Sequence, residues 1–95
     1  MINLKFSNNK EPFYDVTIDN YGNIRYYNKE GQLHRLNGPA IECPTGRIEY
    51  WINNKLHRLD GPAVIWSDGS VEYWINGKPL TKKEFDELTK ENNND

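Results

Sequence analysis

The phrase LHRLNGPA occupies residues 33–40 and returns as LHRLDGPA at 56–63, so a chain of 95 residues writes the same eight letters twice with one change, Asn37 to Asp60. Such self-similarity is the signature of a repeat architecture, in which each copy is one supersecondary unit that buries its apolar side against its neighbours. Working outward from the phrase, Gly22, Gly46 and Gly69 open the related runs GNIRYYN, GRIEYWIN and GSVEYWIN, and the third copy ends in GKPL. The unit is therefore 23 to 24 residues long and is used about two and a half times.

Within a unit the residues alternate as in a strand. Ile48, Tyr50 and Ile52 share one face and Arg47, Glu49 and Trp51 the other, and the third copy repeats this with Val71, Tyr73 and Ile75 against Glu72 and Trp74. Asn76-Gly77 is a strong type I′ hairpin signal, because both residue types tolerate positive φ. Asn53-Asn54 holds the equivalent place, and NKEGQ at 28–32 reads as the same turn with one residue added. A second strand follows GPA in each unit, AIEC and then AVIWS. The repeated phrase is thus the link between two strands of a meander, with Gly38 and Gly61 held extended by the prolines after them and Asn37 and Asp60 placed for Asx turns.

The ends read as caps. Ile2, Leu4 and Phe6 alternate, SNNKEP breaks the run, and Tyr14, Val16 and Ile18 alternate again, which predicts an N-terminal capping hairpin over 1–20 ahead of repeats over 21–80. Thr81 and Glu84 have capping-box spacing, with Leu80 and Phe85 placed as a hydrophobic staple. A short helix over about 82–90, within a C-terminal cap of 81–91, is expected to turn Phe85 and Leu88 onto the last hairpin, followed by a polar, disordered tail at 92–95. The fold class is mainly β, an elongated antiparallel meander of hairpin repeats with a short C-terminal capping helix.

DGSVEYWINGK at residues 68–78 resembles the MORN repeat and its shorter variants, where a DG turn, an aromatic strand and an NGK turn recur at a similar period. The longer form, with LHRLDGPA before it and LTKKEF after it, is similar to small proteins of phages and giant viruses. The resemblance covers about residues 20–85, and in place of the usual YEGE strand and HGxG link the chain carries EYW and HRLDGPA. It implies stacked hairpins in one twisted sheet, a role in binding rather than catalysis, and by extension a viral product that inhibits a host defence factor in the host cytoplasm.

Composition narrows the partners. The formal net charge is −2 with Lys and Arg scattered, which argues against a nucleic-acid polymer. Cys43 is the only cysteine, so an intrachain disulfide is impossible and a cytoplasmic location is expected. No apolar run is long enough for a membrane span, and the first residues lack the apolar segment of a signal peptide.

Two groups of residues are candidate sites. His34-Arg35 and His57-Arg58 could form a paired phosphate or nucleotide site, since His titrates near neutrality and Arg binds anions. The structural alternative has His bonded to a backbone carbonyl in the link and Arg stacked on an aromatic ring or paired with Glu49 or Glu72. Tyr27, Trp51 and Trp74 hold equivalent positions in an aromatic ladder whose rungs lie roughly 10 Å apart if each unit adds two strands. Two histidines and one cysteine are poor material for zinc, no GxSxG elbow is present, and neither enzyme activity nor a cofactor is expected. The functions to weigh are protein binding through an aromatic and Arg-lined β surface, sequestration of a small anionic nucleotide, and a structural homo-oligomer.

Overall fold

A computed structural model describes residues 2–6 and 14–92, with side chains from residue 14 to residue 90. Among the described residues ten strands precede one helix: β1 Ile2–Phe6, β2 Tyr14–Ile18, β3 Ile24–Tyr27, β4 Ile41–Glu42, β5 Ile48–Glu49, β6 Trp51–Ile52, β7 Lys55–Leu56, β8 Val64–Ile65, β9 Val71–Ile75, β10 Lys78–Leu80 and α1 Lys82–Asn92. The main sheet runs β1-β2-β3-β4-β5-β8-β9-β10, while β6 and β7 form a hairpin of their own. Every pairing is antiparallel. The molecule is a slab of 41 × 34 × 19 Å, and its thinnest dimension leaves room for about two layers of backbone.

The predicted meander and its caps are present, with one change inside the repeat. The second-unit strand, continuous in its alternation, is divided at Tyr50 into β5 and β6. Its partner changes there: the Tyr50 amide donates to the Ala63 carbonyl after GPA, while the Tyr50 carbonyl accepts from the His57 amide before it. One strand therefore pairs with both ends of the same link. In the third unit β9 stays continuous, and its Val71 and Glu72 face β8 while Tyr73, Trp74 and Ile75 face β10.

Turn chemistry follows the residue types. Asn53 and Asn54 sit at φ 48° and 69°, and Asn76 at 51° precedes Gly77 at 78°, as a type I′ hairpin requires. In the added-residue turn, Asn28 Oδ1 accepts from the amides of both Glu30 and Gln32. At the opposite edge Gly22, Gly46 and Gly69 each close a loop in which the glycine amide bonds back to the carbonyl three residues earlier, of Asp19, Cys43 and Trp66.

The core is thin, as an aromatic-rich and aliphatic-poor chain predicts. Its buried apolar members are Tyr14, Val16, Ala40, Ile41, Ala63, Val64 and Phe85. Ala40 and Ala63 are completely covered.

The C-terminal capping box forms as read. Thr81 Oγ1 accepts from the Glu84 amide at 3.1 Å and Glu84 Oε1 accepts from the Thr81 amide at 2.8 Å. Phe85 packs on Tyr73 with ring centroids 4.7 Å apart. Leu88, expected beside it, is instead 48% exposed, and Thr89 is the buried residue of the next turn, its hydroxyl bonded to the Phe85 carbonyl at 2.8 Å. A helix face one residue further round meets the sheet, so the four-residue step from Phe85 outranks the three-residue one. The helix reaches Asn92, the first residue of the expected tail, and residues 93–95 lie outside the described part, as does the SNNKEP segment.

Candidate functional site

The two links are bonded alike, letter by letter. Leu33 O accepts from the Asn54 amide at 2.9 Å, His34 Nδ1 from the Asn53 amide at 3.1 Å, and the Arg35 amide donates to Trp51 O at 3.1 Å. One unit later Leu56 O accepts from the Gly77 amide at 2.9 Å, His57 Nδ1 from the Asn76 amide at 3.0 Å, and the Arg58 amide donates to Trp74 O at 3.1 Å. Leu-His-Arg is thus a three-bond clasp on the strand and turn of the following unit. At about 1 kcal/mol net per bond, each clasp contributes roughly 3 kcal/mol. The third copy carries Pro79, Leu80 and Thr81 at this position, and α1 follows in place of a further turn.

The rest of the phrase seats the arginine. The guanidinium carbon of Arg35 lies 3.9 Å from the Tyr26 ring centroid, and that of Arg58 lies 4.0 Å from Tyr50. Each Nη1 donates to the proline carbonyl of its own link, Pro39 at 3.2 Å and Pro62 at 3.1 Å. On the other side lies the glycine: a Cβ on Gly38 would stand 3.1 Å from Arg35 Cζ, and one on Gly61 3.0 Å from Arg58 Cζ. Glycine is needed here for close approach, and each guanidinium lies between a tyrosine ring and the glycine of its own link. In the third unit Lys82 of α1 takes a looser version of this role, its Nζ 5.8 Å from the Tyr73 ring centroid.

The single difference between the phrases has a structural consequence. Asp60 Oδ1 accepts from Arg58 Nε at 2.9 Å, whereas the buried Arg35 Nε has no hydrogen-bond partner beside Asn37. Neither Asn37 nor Asp60 closes the Asx turn expected of it among the described residues. Glu49 and Glu72 are turned to the indoles: Trp51 Nε1 donates to Glu49 Oε1 at 2.8 Å, and Trp74 Nε1 and Trp66 Nε1 donate to Glu72 at 2.8 and 2.9 Å. Arg47 meets Glu49 along its own strand at 3.5 Å, and Arg25 pairs with Asp19.

Of the sequence-predicted site residues, His34, His57, Arg35 and Arg58 therefore lie in the clasps, with Nδ1 of each histidine and Nη1 of each arginine engaged internally. Trp51 and Trp74 line a shallow groove of about 440 Å³ along the turns, together with Lys55 and Leu56. Tyr27 is half-buried and bridges to Leu33. Among the described residues, no group of three or more His, Cys, Asp or Glu side chains is suited to a metal, and no helix is long and apolar enough to cross a membrane.

The letters the clasp leaves over are Leu36 and Leu59, whose side chains are 55% and 48% exposed. They flank an open groove of about 730 Å³ between the two links, lined also by Arg35, Tyr50, His57 and Arg58. Their signal in the sequence is a leucine repeated at an equivalent position between two polar residues, Arg35 and Asn37 in one link and Arg58 and Asp60 in the other. Comparison with protein-family models, with curated proteins and with solved structures finds no match.

His34 is buried and burial pushes its imidazole below the ordinary value of 6.5, a shift that Glu30 partly opposes. The unfolded chain binds the proton more readily, so this residue's contribution is complete above about pH 6.5 and is lost as the pH falls toward the folded value. Protonation also removes the Nδ1 acceptor from the Asn53 amide. The melting temperature of the wild type is expected to fall between mildly alkaline and mildly acidic buffer by more than that of His34→Asn, whose Oδ1 can accept the same amide at any pH. Parallel scans of the two proteins check this, and identical pH slopes would contradict it.

Proposed function

We propose that the chain is a non-enzymatic binding protein that docks on a protein partner through the surface carrying the two links. The observation that supports this is the pair of exposed leucines, Leu36 and Leu59, repeated at one position of a phrase whose neighbouring residues hold the fold together. Apolar side chains arrayed in this way around a groove match the buried centre of a protein interface. The guanidiniums of Arg35 and Arg58, stacked and bonded to proline carbonyls, favour this reading over sequestration of an anionic nucleotide. They supply stiffness to the surface more than free charge.

The test compares tagged wild type with Leu36→Ser/Leu59→Ser for capture from a lysate of the cell in which the chain is native. A protein held by the wild type is expected to be depleted about ten-fold or more from the variant, as loss of two buried leucines predicts. The two proteins are expected to melt within a few degrees of each other because both leucines are exposed. Equal capture by both would overturn the assignment of this surface.

A further inference from the structure

The first clasp has a neighbour that the second lacks within the described residues. Tyr14 of β2 sets its ring edge-on to Tyr26, with centroids 5.8 Å apart and planes at 85°, and lies 6.3 Å from the His34 ring. Its hydroxyl oxygen accepts the Leu36 amide at 2.9 Å. Tyr14 is buried by these contacts and buries His34 in turn.

The second unit repeats the receiving side of this arrangement. Tyr50 stands for Tyr26, His57 for His34 and Leu59 for Leu36, and all three line the groove between the links. The equivalence rests on bonding as well as on sequence, since both histidines accept from a turn amide, both arginines cover the tyrosine ring and both links make the same backbone bonds. Among the described residues no ring packs on Tyr50 as Tyr14 does on Tyr26, and the Leu59 amide makes no hydrogen bond. His57 is correspondingly only half-buried. The groove volume, about 730 Å³, lies within the range of small-molecule sites and admits a phenol ring.

We infer that the groove is the second unit's counterpart of the Tyr14 seat and that it receives a tyrosine side chain presented by the partner protein. This rests on the protein-binding reading and names the group recognised. Three contacts specify it. The ring meets Tyr50 edge-on, its flank lies against His57, and its hydroxyl oxygen accepts the Leu59 amide. Phenylalanine satisfies the first two and leaves the amide without an acceptor, so the site discriminates by the hydroxyl.

The experiment titrates the isotope-labelled full chain with N-acetyl-tyrosinamide and, separately, N-acetyl-phenylalaninamide, following the Leu59 amide and the His57 ring by NMR. Saturable shifts at both are expected with the tyrosine compound, and binding of the phenylalanine compound is expected to be weaker by about five-fold, the worth of one hydrogen bond. In Tyr14→Ala the Leu36 amide is expected to respond as well, because its own seat is opened. Should that variant fail to fold, the wild-type titration alone decides. A Leu59 amide that does not move up to the solubility limit, or equal affinity for the two compounds, would overturn the inference. Because the readout is a single amide and a small probe, its failure is distinct from failure of the leucine-variant capture.

Discussion

Gly61→Ala is expected to lower the melting temperature by about 10 °C, corresponding to about 2 kcal/mol in a domain of this size. The added methyl would stand 3.0 Å from both Cζ and Nη1 of Arg58, and the guanidinium cannot retreat because the Tyr50 ring lies 4.0 Å from Cζ on its other side. Backbone strain is not the cause, since Gly61, unlike Gly22 or Gly69, does not adopt the left-handed conformation. The decisive arm is therefore the double mutant. Arg58→Ala alone is expected to cost about 2 kcal/mol through loss of the ring contact and the bond to Pro62 O. Adding Gly61→Ala to it is expected to cost less than about 0.5 kcal/mol, because the methyl then occupies space the arginine has left. Urea denaturation of the four proteins measures the coupling. Strictly additive losses would show that arginine and glycine are not packed as described.

Phe85→Ala is expected to cost about 3 kcal/mol, the usual penalty for emptying a buried aromatic site. Phe85 is 5% exposed and holds α1 against Tyr73, so its loss removes the main apolar anchor of the cap. The capping box stays intact in this variant, yet a helix of eleven residues is marginal without tertiary packing. Amide exchange in α1 is expected to accelerate toward the unprotected rate while the strands of the second unit keep most of their protection. Leu88→Ala, one turn on at an exposed position, is expected to change stability by no more than about 0.5 kcal/mol. Comparable losses from the two variants would mean that the helix docks by a different face.

Much of this fold was legible because its local signals agree with its pairing. Asn53-Asn54 and Asn76-Gly77 specify type I′ turns through backbone preference alone, and Thr81 with Glu84 specifies a helix start through the reach of two side chains. Such features depend on residues close in sequence. The division of the strand at Tyr50 does not, since it arises where the two ends of one link compete for successive stretches of the same strand. Alternation of side chains is blind to which backbone lies alongside. Leu88 failed for a related reason: Leu88 and Thr89 stand three and four residues after Phe85, both compatible with a helix face, and only the docking angle of α1 chooses between them.

The candidate site was legible in part. Repetition of His-Arg marks the residues, and the structural alternative holds for arginine on an aromatic ring, but histidine, expected on a backbone carbonyl of its own link, instead accepts a backbone amide at Nδ1. What sequence could not supply was the direction of the clasp, from one unit to the turn of the next, because Asn53 follows His34 by nineteen residues and Asn76 follows His57 by the same interval. Leu36 and Leu59 carry no site signal beyond their repetition, since an apolar letter inside a repeat reads as core until its exposure is known. Tyr14 lies outside the repeat altogether, and its kinship with the groove emerges only from comparing the surroundings of the two links.

The account rests on the clasp, and its histidines report on it most directly. Long-range proton–nitrogen correlation of the imidazole rings in mildly alkaline buffer locates the single ring proton of each. The proton is expected on Nε2 of both His34 and His57, with a coupling across the hydrogen bond from the Asn53 amide to Nδ1 of the first and from the Asn76 amide to Nδ1 of the second. A proton on Nδ1 of either ring would contradict it.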